Sequence, residues 1–592
     1  MQGHEFHQIL AAHMGLQLHA DKNSLLLGAW QGGEASLPAI EAAMQAWTSF
    51  IDSHLHKAER GSALYIQLMA MRGCSFREWL LLFSTQLSAR EYRTLPVFEY
   101  FLIQDSKDRD LYLLNKETDV HSYLEAIRAS TSPVATFFST ELPYHITLPD
   151  LKRHLHFVAK SGSGKTEVLK TLFYSLQAIS HKKRQHSLVL IEPHGEFAGQ
   201  AARFDLNASA RERLVYIDPY LDKSQERVPI LNPFDMLPLR NEQDIDTLTQ
   251  QLVIAFGEIS ADTDFSDRMK GILRATIGTL LRRPGSTFVD LMRFMQNDPE
   301  LIALGKQSPN AIHRELFAQA FTSGEYENTK KAIYSKLYGL LSTAGFAKVM
   351  IGQSTINLQE AMDSGKIIII NLSKGELGDE ASQALGCFII ALLRAITFKR
   401  AQIPEHHRKP CFLFIDEMQN YVSQSMDVIL SESRKYGLHL ILVHQYLTQV
   451  ESKRLKDAIL ANTAIKIVGE TNEASIKAMA VEMRTESAQI RDLPKYHFVI
   501  KTGSREAMTI RSSSHLLFDA YSPSSYYQTH ASFSLQKERL LFDSGYYAVQ
   551  SQDLVPDAWA AHNAPAENRF HSSKKQDASP QQMTAPKPKF SL

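Results

Sequence analysis

Eight residues, Ala159-Lys160-Ser161-Gly162-Ser163-Gly164-Lys165-Thr166, constrain this chain more than any other stretch. They follow an apolar run ending in Phe157 and Val158 and open a segment with Val168, Leu169, Leu172 and Leu176 at helical spacing. Strand, glycine-bearing loop and helix in that order make the P-loop pattern, with Ala159 where the first glycine usually stands. Gly162 and Gly164 permit backbone angles that turn successive amides around a phosphate. Ala159 to Glu167 are therefore the expected nucleotide-binding segment. Lys165 would reach the β- and γ-phosphates, Thr166 would bind Mg²⁺, and the helix would point its positive end at the anion. A plain glycine-serine turn before a helix is the alternative, and the strand and helix around it count against it.

A loop of this kind predicts an acidic element at the end of another buried strand. Cys411-Phe412-Leu413-Phe414-Ile415-Asp416-Glu417 supplies one. Asp416 would join the Mg²⁺ shell, and Glu417 would orient and polarise the attacking water. Asp-Glu after an apolar run also serves as a helix N-cap, and only the pairing with the phosphate loop favours the catalytic reading.

From Leu155 onward, short apolar runs alternate with long helical stretches: 155–158, 188–191, 214–217, 367–372, 412–415, 438–443 and 465–468. Strands buried on both faces read this way, so the expected fold is α/β with a mostly parallel sheet of the P-loop NTPase, RecA-like kind. The ATPase domain is expected over 151–240 and 364–515. Residues 241–363 carry no strand-like run and are expected to form an all-helical insertion. Residues 1–150 are expected to form a separate α+β domain. There Ile40, Met44, Trp47, Ile51 and Leu55 recur at helical spacing, and Trp30, Trp47 and Trp79 suggest core. A C-terminal extension over 516–563 and a disordered tail over 564–592, rich in Ser-Pro and Lys-Pro, complete the division.

Composition excludes several functions. With 64 basic and 64 acidic residues the formal charge is zero, which argues against a generic basic coater of nucleic acid. The three cysteines, Cys74, Cys387 and Cys411, are too scattered for a disulfide framework or a four-cysteine zinc site and fit a reducing cytoplasm. The longest apolar run, Ala384 to Leu393, is about half of a membrane-spanning helix and reads as a buried one. No intrinsic span is expected. Basic clusters at Lys182-Lys183-Arg184, Arg282-Arg283, Lys399-Arg400 and His406-His407-Arg408-Lys409 could touch DNA backbone, although most such clusters are simply solvated loops.

Ile415-Asp416-Glu417-Met418-Gln419-Asn420, Ile429 through Leu438, and Val443-His444-Gln445-Tyr446 together resemble the conjugative DNA-transfer ATPases. These are the type IV secretion coupling-protein-like members of the HerA/FtsK class of ring motors. Ile191 to Glu196, Leu231-Asn232-Pro233-Phe234-Asp235 and Gly365 to Gly375 add matches in the same order. The resemblance runs from about 151 to 510. It implies that Arg434 is an arginine finger reaching a neighbour's nucleotide and that Gln445 senses the γ-phosphate. A planar guanidinium suits charge on transferring phosphoryl oxygens. For Arg434 a solvated helix position is the alternative, and for Gln445 a structural hydrogen bond.

The resemblance also implies a hexameric Mg²⁺-ATP-dependent motor that translocates DNA in conjugative or type IV secretion-like transfer. It would be cytoplasmic and recruited to the inner membrane face by secretion-channel or relaxosome proteins. Two other functions compete with this one. The first is a HerA-like translocase serving repair or defence. The second is a nucleotide-binding adaptor that recruits substrate without working as a motor, which would need neither Glu417 nor Arg434.

Overall fold

The computed structural model describes residues 24–31, parts of 55–60, and 141–549 apart from short interior stretches. The strands in chain order are β1 (Ser24–Gln31), β2 (Glu141–Thr147), β3 (Leu155–Val158), β4 (Ser187–Glu192), β5 (Leu214–Ile217), β6 (Arg227–Val228), β7 (Ile367–Asn371), β8 (Cys411–Ile415), β9 (Leu438–His444), β10 (Ile465–Val468), β11 (His497–Thr502), β12 (Met508–Arg511) and β13 (Ala548–Val549). Eleven of them form one sheet in the order β2-β1-β12-β11-β10-β3-β9-β8-β4-β7-β5, and β6 pairs with β13 apart from it.

From β10 to β5 every neighbouring pair is parallel, and these strands are the seven apolar runs of the sequence. The other end is antiparallel, through β11, β12, β1 and β2. The strands β1 and β2, from the first 150 residues, thus extend the same sheet. The expected helix around Trp47 and the tryptophan cluster lie outside the described residues, as does the expected tail over 564–592.

Successive strand residues point to opposite faces, so one sheet feeds two cores. Val189, Ile191, Ile368, Ile370, Leu413 and Leu440 pack with helices of the 241–363 region and with the helix Asp379–Lys399. Leu188, Leu190, Ile369, Phe412, Phe414 and Val443 pack with the helix Lys165–Ser180 and with Leu516, Tyr527 and Tyr547 of the C-terminal extension. The result is a three-layer α/β/α arrangement.

Every described element between 241 and 363 is helical. Thr287 and Asp290 close a reciprocal capping box there, and Phe256 and Phe288 pack edge-on and tilted against Phe388 at centroid distances of 5.2 and 5.0 Å. That contact ties the region to the helix Asp379–Lys399. This helix is long and apolar enough to cross a membrane by composition, yet 89% of its most apolar window is buried within the protein.

Candidate active site

The carboxyl ends of β3, β9, β8 and β4 lie side by side, with Val158 opposite His444 and Ile191 opposite Ile415. Whatever follows each strand therefore converges on one edge: the phosphate loop after β3, Gln445 after β9, Asp416 and Glu417 after β8, and Glu192 at the end of β4. Ligand sites of open α/β sheets form at such edges.

Ala159 is fully buried, and its amide donates to the His444 carbonyl at 3.1 Å. Lys160 donates through its amide to the Glu470 carbonyl at 2.7 Å, and its ammonium pairs with the Glu470 carboxylate. Ser161 and Gly162 form the exposed tip, and Ser163 turns inward. Gly162 and Gly164 take φ of 78° and 96°. Gly164 caps the helix Lys165–Ser180 without any side-chain bond; the Glu167 amide turns back to the Gly164 carbonyl at 3.1 Å, and no side chain caps the amides before it. Glu167 faces the other way and pairs with the buried Lys170 at 2.7 Å.

Lys165, 6% exposed, reaches across β9. Its ammonium lies 3.0 Å from Glu417 Oε1 and 3.7 Å from Asp416 Oδ1. Gln445 Nε2 donates to the same Glu417 oxygen at 3.0 Å, and Gln419 Nε2 donates to Oε2 at 2.7 Å. Burial pushes the Glu417 carboxyl up, but Lys165 and the hydrogen bonds from Gln419 and Gln445 outweigh it and hold the pKa below the ordinary value. Asp416 is deeper: burial raises its pKa, with Lys165 only partly opposing. Glu192, 1% exposed, is pushed up to about 7 by burial and then by the charge of Asp416. The amides of His194 and Ala198 donate to its two oxygens at 2.6 and 3.3 Å.

The donor set fits a magnesium ion. Thr166 and Asp416 offer hard oxygens, and the buried, upshifted Asp416 carboxyl is a group that a cation would stabilise. Mg²⁺ takes its other positions from phosphate and water, so two protein ligands suffice.

Arg434 is not brought to this edge. It lies in the turn Ser433–Tyr436, exposed, just before β9 begins. The length of β9, seven residues or roughly 20 Å, separates it from Gln445 and from its own chain's phosphate loop. Gln419, Glu470 and Tyr496 also stand at the site and were not expected there. Gln419 was accessible in principle, two residues beyond Glu417. Glu470 and Tyr496 are joined to the loop only by the fold.

Residues 140–510 match the family model described as the type IV secretion-system coupling protein DNA-binding domain. No curated protein matches the chain. Similar solved structures include the bacterial conjugative coupling protein TrwBdeltaN70, at 17% identity over 65% of this chain and 90% of that one, with TM-score 0.48. Plasmid coupling protein TrwB in complex with ADP and Mg²⁺ is 18% identical over 63% and 87%, with TM-score 0.47. VirB4 of Thermoanaerobacter pseudethanolicus is 14% identical over 63% and 94%, with TM-score 0.40.

Proposed function

The chain belongs to the type IV secretion-system coupling protein DNA-binding domain family, and from that premise we propose that it is a Mg²⁺-ATP-hydrolysing ring motor. It drives DNA in conjugative or type IV secretion-like transfer, assembled as a homo-hexamer and served by secretion-channel or relaxosome partners. One observation carries the hydrolytic part: Lys165, Glu417 and Gln445 meet at a single carboxylate oxygen beside an uncapped helix start.

In this reading an entering ATP takes the Lys165 ammonium onto its β- and γ-phosphate oxygens. Glu417 gives up Lys165 to the phosphates, keeps the amide donors Gln419 and Gln445, and polarises the attacking water. Gln445 spans Glu417 and the γ-phosphate position, which links nucleotide state to the end of β9. Thr166 and Asp416 would hold Mg²⁺, which neutralises charge on the transferring phosphoryl group. Arg434, exposed and remote from its own loop, serves the nucleotide of a neighbouring subunit.

Steady-state ATPase assays of the full chain, alone and with single- or double-stranded DNA, test the reading. Hydrolysis stimulated by DNA is expected. Hydrolysis indifferent to both DNAs would remove the motor, and no hydrolysis under any condition would favour the recruitment adaptor.

A further inference from the structure

Six described residues other than glycine have positive φ, and two of them, Glu417 and Tyr496, flank the phosphate loop. Glu417 has its role above; Tyr496 does not. Its φ is 68°, a conformation that a bulky aromatic residue adopts only where its surroundings enforce it. Two main-chain bonds enforce it here. The Tyr496 amide donates to the carbonyl of Ser163 in the phosphate loop at 3.0 Å, and its carbonyl accepts from the Ser512 amide at 2.8 Å. The ring lies against Gly164 so closely that a Cβ there would run into Cδ1. Even so, Tyr496 is 41% exposed. The Lys495 ammonium lies over the ring, 4.9 Å from its centroid, a cation–π contact that a base stacking on that face would displace. It also brings positive charge to the place an anionic ligand would enter.

A strained backbone thus holds a large, partly open aromatic face on the shoulder of the loop that would grip the phosphates. Burial does not explain the strain, because the ring is not buried. We propose that Tyr496 is the platform on which the base of the bound nucleoside triphosphate stacks, fixing the nucleotide at its far end while Lys165 and the loop fix the phosphates. Stacking uses the π-face common to all bases, so the platform contributes affinity and orientation and selects little between purines. The inference rests on the nucleotide-binding reading of the loop given above.

Calorimetric titration of the full chain with ATP and with inorganic tripolyphosphate separates the roles, because tripolyphosphate has no base. Tyr496→Leu keeps an apolar side chain against Gly164 but removes the π-face. ATP should weaken by about tenfold or more, tripolyphosphate by less than about twofold, and Tyr496→Phe should restore the wild-type ratio. Equal loss of both ligands would make Tyr496 a support of the loop only and overturn the proposal, as would no loss of either.

If Tyr496→Leu does not fold, wild-type protein photolabelled with 8-azido-ATP gives the answer. Label on the tryptic peptide 496–501 is expected, and label confined to other peptides would overturn the platform. Wild type that binds neither ATP nor tripolyphosphate would instead sink the nucleotide reading itself.

Discussion

At Glu417 the chain accepts a left-handed backbone, φ 47°, at a cost on the order of 1–3 kcal/mol, and gains a carboxylate aimed at both Lys165 and Gln445. Lys165 and Glu417 should therefore fail differently. Lys165→Ala removes the charge meant for the phosphates and should abolish measurable ATP binding. Glu417→Gln should bind ATP and lower kcat by at least about a hundredfold, read by titration and single-turnover hydrolysis. Wild-type turnover in Glu417→Gln would remove Glu417 from the chemistry.

Glu192 makes a separate prediction about pH. Its folded pKa of about 7 lies above the usual carboxyl value, so between roughly pH 4.5 and 7 the folded state keeps a proton that the unfolded state has lost. Stability should fall as pH rises through that window, by on the order of 3 kcal/mol at most, and level off above it. In EDTA without nucleotide, Glu192→Gln should show a shallower decline in Tm between pH 5 and 8 than wild type. Parallel curves would mean that Glu192 is ionised throughout.

Among the elements, the C-terminal extension has the clearest structural role. Tyr547 is buried beside the edge strand β5, where its hydroxyl donates to the Tyr216 carbonyl at 2.7 Å and accepts from the Asp218 amide at 3.3 Å. On the same side of the sheet, Lys170 of the helix that follows the phosphate loop donates to the Leu516 carbonyl at 3.3 Å. The extension thus covers an edge that would otherwise offer unpaired backbone groups. Tyr547→Phe leaves two buried main-chain groups without this partner and should cost about 1–3 kcal/mol in denaturant unfolding. Tyr547 sits at β5, five strands along the sheet from β3 and its phosphate loop, so ATP affinity should stay within about twofold of wild type. A large loss of affinity would mean that the extension shapes the site itself.

At the scale of the whole molecule the question is where Arg434 acts. Its position at the start of β9, opposite the phosphate-loop edge, keeps it from its own chain's nucleotide, so the proposed ring assigns it to another copy's. Arg434→Ala and Lys165→Ala should each be nearly inactive alone. Mixed one to one with free exchange, about a quarter of interfaces would combine an intact loop with an intact arginine, and some ATPase activity should return. A silent mixture calls for the subunit mass with a non-hydrolysable ATP analogue and DNA. Monomers alone under those conditions would sink both the trans finger and the ring.

What was legible in the sequence was local. The phosphate loop, the Asp416-Glu417 pair and the seven parallel strands each reside in a contiguous stretch, because a strand buried on both faces must be apolar throughout and a phosphate loop must carry its glycines between strand and helix. The antiparallel strands β11 and β12 escaped the reading. Their burial is interrupted, as at His497, Lys501 and Arg511, so they lack the continuous apolar signature. Tertiary structure alone decided which side chains share the site. Lys165 meets Glu417 because β9 lies between β3 and β8, and Arg434 is excluded because it precedes the strand that Gln445 follows. Tyr496 meets Gly164 because the turn before β11 folds back onto the loop. Such contacts depend on strand order and direction, which no local run of residues encodes.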